Sequence, residues 1–208
     1  MDLIDSLISQ DWLKTPRIIE AFRKIKRVDF LPEDLKDLAE LDEALTIGHE
    51  QTISQPLVVV FMLELLQPEP GQKILDIGSG SGYTTALLAE IVGLKGKVIG
   101  MEIVPELAQF GIKNVDKYGF VQKGIVNIIC ADGSKGYEKE APYDKILVSA
   151  SFQDETEKLP RAWKKQLKIG GRIVTPIQNS IWLFTKKSEN EFEKREYPGF
   201  IFVPLINK

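Results

Sequence analysis

The chain has 208 residues, 43% hydrophobic and 27% charged, which suits one packed domain and excludes a disordered tract, a coiled coil or a collagen-like repeat. A formal net charge of -3 argues against broad nucleic-acid binding, because neutralising phosphates needs a clustered excess of Lys and Arg. The single cysteine, Cys130, excludes an intrachain disulfide and a cysteine-built metal centre, and we expect no metal site.

Along residues 3–39 the apolar positions recur at three- and four-residue intervals, broken at "KTP" and "DFLPED", which predicts two or three short helices. The most basic stretch, "RIIEAFRKIKR" from Arg17 to Arg27, interleaves with Ile18, Ala21, Phe22 and Ile25 and reads as the wet face of an amphipathic helix. An acidic start interrupted by Asp5, Gln10 and Asp11 does not read as a secretory leader, and "LVVVFML" falls short of the ~20 residues that cross a bilayer. The expectation is a cytoplasmic monomer without membrane or nucleic-acid partners.

"LDEALTIGHEQTISQ" then reads as a loop, followed by a buried helix over 56–67 with Ser54 as its N-cap and Pro56 in its first turn. A turn at "PEPG" leads into a strand over 73–77, three alternating glycines, and a helix over 83–92. Next come a strand over 97–102, a helix over 105–118, a strand over 124–131, the loop "DGSKGYEKEAPYD" and a strand over 145–149. A helix over 159–167 passes through "KIGG" to a strand over 172–176, and "IWLFTKK" and "REYPGFIFVPLI" read as an antiparallel hairpin. Cys130, within an apolar strand, is expected to be buried, and Trp12, Trp163 and Trp182 read as packing residues.

Apolar strands alternating with helices predict an α/β protein with a Rossmann-like, doubly wound, mostly parallel sheet, an antiparallel C-terminal hairpin and an N-terminal helical segment. We expect one domain over 1–208, with 1–55 carrying the helical segment and a substrate loop and 56–208 the cofactor-binding core.

In such sheets ligands bind at the carboxyl ends of the strands, and the first strand-to-helix turn is the usual cradle. Gly78, Gly80 and Gly82 occupy that turn. The dinucleotide fingerprint would put its third glycine at position 83, where this chain has Tyr83. Asp76, two residues before the first glycine, is unwelcoming to pyrophosphate and suited to a cationic amine. Glu102, closing the next strand, can accept hydrogen bonds from ribose hydroxyls, and Asp132, one strand further, can meet an adenine amino group. An amine, a ribose and an adenine without phosphate describe S-adenosylmethionine.

"LDIGSGSGYTTALLAE", the acidic end of the following strand and "LKIGGRIV" resemble class I S-adenosylmethionine-dependent methyltransferases. "IGHEQTISQP" narrows this, being similar to the hallmark of protein-L-isoaspartate O-methyltransferases, and "RVDFLPEDL", "ADGSKGY", "APYDKILVSA", "QLKIGGRIVTP" and "FVPL" resemble that family too. The resemblance implies methyl transfer to the α-carboxylate of isoaspartyl residues in damaged proteins or peptides. It implies that Gln51, Thr52, Ile53 and Ser54 line the junction of cofactor and substrate, with Ser54 the catalytic serine. It assigns Asp76, Gly78 and Ser79 to the methionine end, Glu102 to the ribose, and Asp132 and Gly133 to the adenine, with Gly80, Gly82 and Ile103 also among the cofactor-binding residues. A carboxylate with a pKa near 3.5 is already ionised, so the absence of a catalytic triad is expected.

Several positions depart from the family pattern. Glu50 stands where a glycine is common, "SASFQDETEKLP" replaces a small, Ala-rich stretch and sets Phe152 and Gln153 beside the substrate, and "TPIQNS" lacks a usual glycine. These fall on the acceptor side. Two rival readings keep the cofactor pocket: methyl transfer to a different acceptor, and an interaction module that binds cofactor without turnover.

Overall fold

The computed structural model describes residues 2–151, 159–202 and 204–205. In chain order the elements are α1 (Leu3–Ser9), α2 (Pro16–Lys24), β1 (Leu45–Gly48), β2 (Gln51–Ile53), α3 (Pro56–Leu66), β3 (Lys73–Ile77), α4 (Tyr83–Val92) and β4 (Lys97–Glu102). They continue with α5 (Pro105–Asp116), β5 (Val126–Cys130), β6 (Tyr143–Val148), α6 (Arg161–Gln166), β7 (Leu167–Ile177), β8 (Ser180–Lys186) and β9 (Phe192–Pro198). Two turns of 3-10 helix, Arg27–Phe30 and Glu33–Leu38, follow α2.

Seven strands form one sheet in the order β5-β4-β3-β6-β7-β8-β9. The first five are parallel, and β8 and β9 close the sheet as the expected antiparallel hairpin, although β9 starts at Phe192, inside the stretch read as its polar joint, and ends at Pro198, before "GFIF". The chain runs outward from β3 through β4 to β5, then crosses to the other side of β3 to make β6. Strand order therefore reverses between β3 and β6, and a crevice opens beyond their carboxyl ends.

Alternation along the central strands sends Ile74, Val98 and Leu147 to one apolar layer and Leu75, Ile99, Ile146 and Val148 to the other. The first layer also holds α3, α4 and the N-terminal helices; the second is closed by Trp163 of α6 with Tyr143 and Phe184. Helix α4 is buried from Tyr83 to Ala89 and again at Ile91 and Val92, since α2 lies on the face turned from the sheet. That is the physical use of the N-terminal segment: Ile18, Ala21 and Phe22 cover a helix too apolar to face water.

Several expectations need correction. The stretch read as a loop contains the β1–β2 hairpin, closed by a two-residue turn in which His49 (φ 54) and Glu50 (φ 59) both take the left-handed conformation. Such turns usually carry Asn-Gly, so His-Glu gave no hairpin signal.

Ser54 is not the N-cap of α3. Pro56 takes the first helical position, so the cap falls on Gln55, which makes no side-chain capping bond. The Leu57 N–H instead donates to Asp42 Oδ1 at 2.8 Å.

Arg27 lies off the wet face of α2 and is buried. Cys130 is exposed, because β5 is the sheet's edge strand and Cys130 its last residue. Of the tryptophans, Trp163 is fully buried and Trp182 nearly so, whereas Trp12 is partly exposed, edge-on to Phe61. "KIGG" is strand rather than connector: β7 begins at Leu167, and its pairing with β6 shifts register between Tyr143 and Lys145. Phe152 and Gln153 lie outside the described residues. No described helix is long and apolar enough to cross a membrane.

Candidate active site

The carboxyl ends of β3, β4 and β6, with the turn after β5, surround a cavity of about 760 Å³ including its open mouth, and β2 roofs it. Of the residues singled out from the sequence, Gln51, Thr52, Ile53, Ser54, Gly78, Ser79, Gly80, Glu102, Ile103 and Gly133 line it. Asp76, Gly82 and Asp132 stand one layer back.

The glycine turn is shaped by three residues at positive φ: Gly78 (77°), Gly80 (50°) and Gly82 (89°). The N–H groups of Gly78 and Ser79 both donate to the Met101 carbonyl, at 2.8 and 3.0 Å, which binds the turn to β4. Gly82 serves packing. A Cβ there would meet Val115 Cγ2 at 2.8 Å and the Gly111 carbonyl at 3.0 Å, so the turn and α5 touch through two glycines. Gly111, in a helix of unremarked pattern, carried no signal of this role.

Glu102 is 5% exposed and accepts three backbone N–H groups: Gly80 at 2.9 Å on Oε2, and Ile103 and Val104 at 2.8 and 3.0 Å on Oε1. One carboxylate thus fixes the glycine turn and the start of α5. It is also the sole charged side chain among the described lining residues.

Asp76 is fully buried on the α4 side of the sheet. Its Oδ2 accepts the hydroxyls of Thr84 and Thr85 at 2.8 and 2.6 Å, while Oδ1 has no partner. Burial pushes its pKa up to about 6 against those two hydrogen bonds. The Ser79 hydroxyl, also buried, lacks a partner as well. An unpaired buried polar atom costs about 1–3 kcal/mol. Two of them beside one cavity fit a ligand that brings a cationic amine and polar acceptors.

Asp132 accepts the N–H and hydroxyl of Ser134 at 2.9 and 2.7 Å and pairs with Lys135 at 3.1 Å. Burial alone would raise its pKa, but Ser134 and Lys135 outweigh it and hold the carboxyl below the usual range. Behind it Gly133 has no room for a side chain, since a Cβ would collide with Ile77. Its carbonyl accepts the Trp163 indole N–H at 2.9 Å, so a tryptophan read only as packing also sets this wall.

Ser54 is half-buried at the end of β2, and its hydroxyl makes no hydrogen bond among the described residues. Tyr83, Met101 and the tail residues Pro204 and Leu205 also line the cavity, and no motif singled them out for it. The tail reaches the cavity because the Leu205 N–H donates to the Ser151 carbonyl at 2.7 Å.

The family model described as protein-L-isoaspartate(D-aspartate) O-methyltransferase matches residues 1–208. A protein of Methanopyrus kandleri named protein-L-isoaspartate O-methyltransferase is 43% identical over 210 residues, covering 99% of this chain and 90% of its own. One of Archaeoglobus fulgidus, named protein-L-isoaspartate O-methyltransferase 2, is 44% identical over 192 residues, covering 91% of this chain and 84% of its own. Among solved structures, a Plasmodium falciparum chain in complex with S-adenosyl-L-homocysteine shares the fold, with a TM-score of 0.86 at 24% identity over 99% of this chain and 97% of that one.

Proposed function

The chain belongs to the protein-L-isoaspartate O-methyltransferase family, and from that membership we propose how its cavity divides the reaction. The protein transfers a methyl group from S-adenosylmethionine to the α-carboxylate of L-isoaspartyl residues in damaged peptides and proteins. When bound, this cofactor supplies an electrophilic methyl group whose bond to a sulfonium breaks as a bond to the carboxylate oxygen forms, giving a neutral methyl ester and S-adenosylhomocysteine.

Glu102 takes the ribose hydroxyls with the acceptor capacity that its three backbone donors leave. Asp76 and Ser79, whose free buried atoms call for partners, serve the methionine end beside Gly78 and Gly80, with Gly82 holding the turn on α5. Ile103 and Gly133 flank the adenine, and Asp132 supports that wall. Gln51, Thr52 and Ile53 roof the junction, and the unengaged Ser54 hydroxyl donates to the acceptor carboxylate and orients it.

The observation that carries this reading is the cavity's charge. With Glu102 as its only charged described lining residue, it repels a pyrophosphate and welcomes an uncharged nucleoside with a cationic tail. No Lys, His or Cys is among those lining residues to act as a base, and none is needed for an ionised carboxylate. What the residues contribute is alignment with water held out, a contribution worth roughly 7–11 kcal/mol in favourable cases. The net charge of -3 argues against nucleic-acid partners, and the reading is of a monomeric, cytoplasmic enzyme of one domain without membrane partners.

The test is methylation of an isoaspartyl peptide against its normal aspartyl counterpart with radiolabelled cofactor. Transfer to the isoaspartyl peptide alone, released by alkali as methanol, is expected. Transfer to neither peptide, or a product stable to alkali, would overturn the reading.

A further inference from the structure

Arg27 opens the 3-10 turn Arg27–Phe30 and is 6% exposed, yet it does not line the cavity. A guanidinium offers five N–H donors in a rigid fork and keeps its charge when buried. Here Nη1 donates to the carbonyls of Ala39 and Leu41, both at 3.1 Å, and Nη2 to those of Glu43 at 2.7 Å and Ser54 at 3.4 Å. Nε is buried without a partner.

Those four carbonyls are not scattered. Three belong to the stretch leading into β1, and the fourth belongs to the residue that follows β2. One side chain therefore joins the two feet of the hairpin that roofs the cavity. Asp42, in the same stretch, adds a second tie, accepting Gln55 Nε2 at 3.1 Å and the Leu57 N–H at 2.8 Å.

Ser54 makes no side-chain hydrogen bond among the described residues, so its place in the cavity is set by its backbone, and that backbone is held by the fork and by Asp42. Strands β1 and β2 pair only with each other, so beyond the core packing of Leu45, Ile47 and Ile53 the hairpin depends on polar ties at its feet.

Resting on the reading of the cavity given above, we infer that Arg27 is a positioning residue for the acceptor end: it fixes the β1–β2 roof, and through it Ser54, without touching cofactor or substrate. Nucleoside contacts come from the strand ends, which Arg27 does not reach. Loss of the fork therefore separates acceptor chemistry from cofactor affinity. Displacements of about 1 Å in a reacting group cost on the order of 100-fold in rate.

The experiment compares wild type with R27K and R27M. The lysine keeps the charge but offers its donors from one point, too few in reach to span both feet. Expected for R27K is a fall in kcat on isoaspartyl peptide of about 10-fold or more, with S-adenosylhomocysteine affinity within about 3-fold of wild type and R27M lower still in kcat. Amide exchange in residues 45–54 of the homocysteine complex should speed up by at least about 10-fold in R27K while β3 and β4 stay protected.

Unchanged kcat and unchanged exchange overturn the inference, as does a loss of cofactor affinity equal to the loss of kcat, which is the mark of a merely structural role. If R27M does not fold, R27K alone decides. Wild type that binds the homocysteine product but leaves the peptide unmethylated refutes the activity reading, while the exchange comparison still judges Arg27.

Discussion

The backbone N–H of Gly80 points at the carboxylate of Glu102, 2.9 Å from Oε2, so the turn after β3 and the end of β4 are joined by a charge-assisted hydrogen bond. The other oxygen of the same group accepts the N–H groups of Ile103 and Val104, just ahead of α5. E102Q keeps the shape but loses the charge, and turns one acceptor into a donor facing N–H groups. We expect a stability loss of about 1–3 kcal/mol, with a fall in S-adenosylhomocysteine affinity of at least about 10-fold. Thermal denaturation and titration calorimetry measure the two effects.

S54A separates a cap from a catalytic group. Because α3 is capped by Asp42 and the Ser54 hydroxyl has no partner among the described residues, its removal should change stability by no more than about 0.5 kcal/mol. Methyl transfer should nevertheless slow by about 10-fold or more, from loss of one orienting hydrogen bond of about 1.5–3 kcal/mol to a charged carboxylate. Steady-state kinetics alongside a melting curve checks both.

Asp76 gives the protein a pH signature. Its carboxyl is raised to about 6 by burial, above the ~3.9 of an unfolded chain. The folded state thus holds this proton more tightly than the unfolded one. Its contribution to stability is full below about pH 4 and is lost as the pH rises through about 6. A cationic ligand amine favours the ionised form, so cofactor affinity should rise over the same interval. D76N should flatten both profiles; a variant that kept the wild-type pH dependence would place the titration elsewhere.

Glu50 sits in the hairpin turn at φ 59, in a conformation that costs an L-residue roughly 1 kcal/mol. E50G removes that strain and gives back part of it as extra freedom in the unfolded chain, for a net gain of a few tenths to about 1 kcal/mol. It also removes an exposed negative charge next to Gln51, a lining residue. KM for an isoaspartyl peptide should fall at low salt, and the difference from wild type should shrink as salt is added.

The α/β core was legible because its elements follow local rules. Lys73–Ile77, Tyr83–Val92 and Lys97–Glu102 occur with the bounds that periodicity and glycines predict. The β1–β2 hairpin was missed for a local reason, its unusual His-Glu turn, but most other misses depend on a partner far along the chain. Asp42 caps a helix fifteen positions away, a bond no local pattern announces. Cys130 is exposed because β5 became an edge strand, which sequence order alone does not reveal. Arg27 looked like the last cation of an amphipathic stripe, yet α2 ends at Lys24 and the chain turns it inward. At the site, the glycines and Glu102 were readable from position, whereas Gly111 and Trp163 act through contacts with segments about thirty residues distant.

The most direct test of the account is a crystal structure with S-adenosylhomocysteine bound. The ribose hydroxyls should lie on Glu102, the adenine between Ile103 and Gly133, and the sulfur should face β2 and Ser54. A nucleoside seated away from the ends of β3 and β4, or a sulfur turned from the β1–β2 roof, would contradict it.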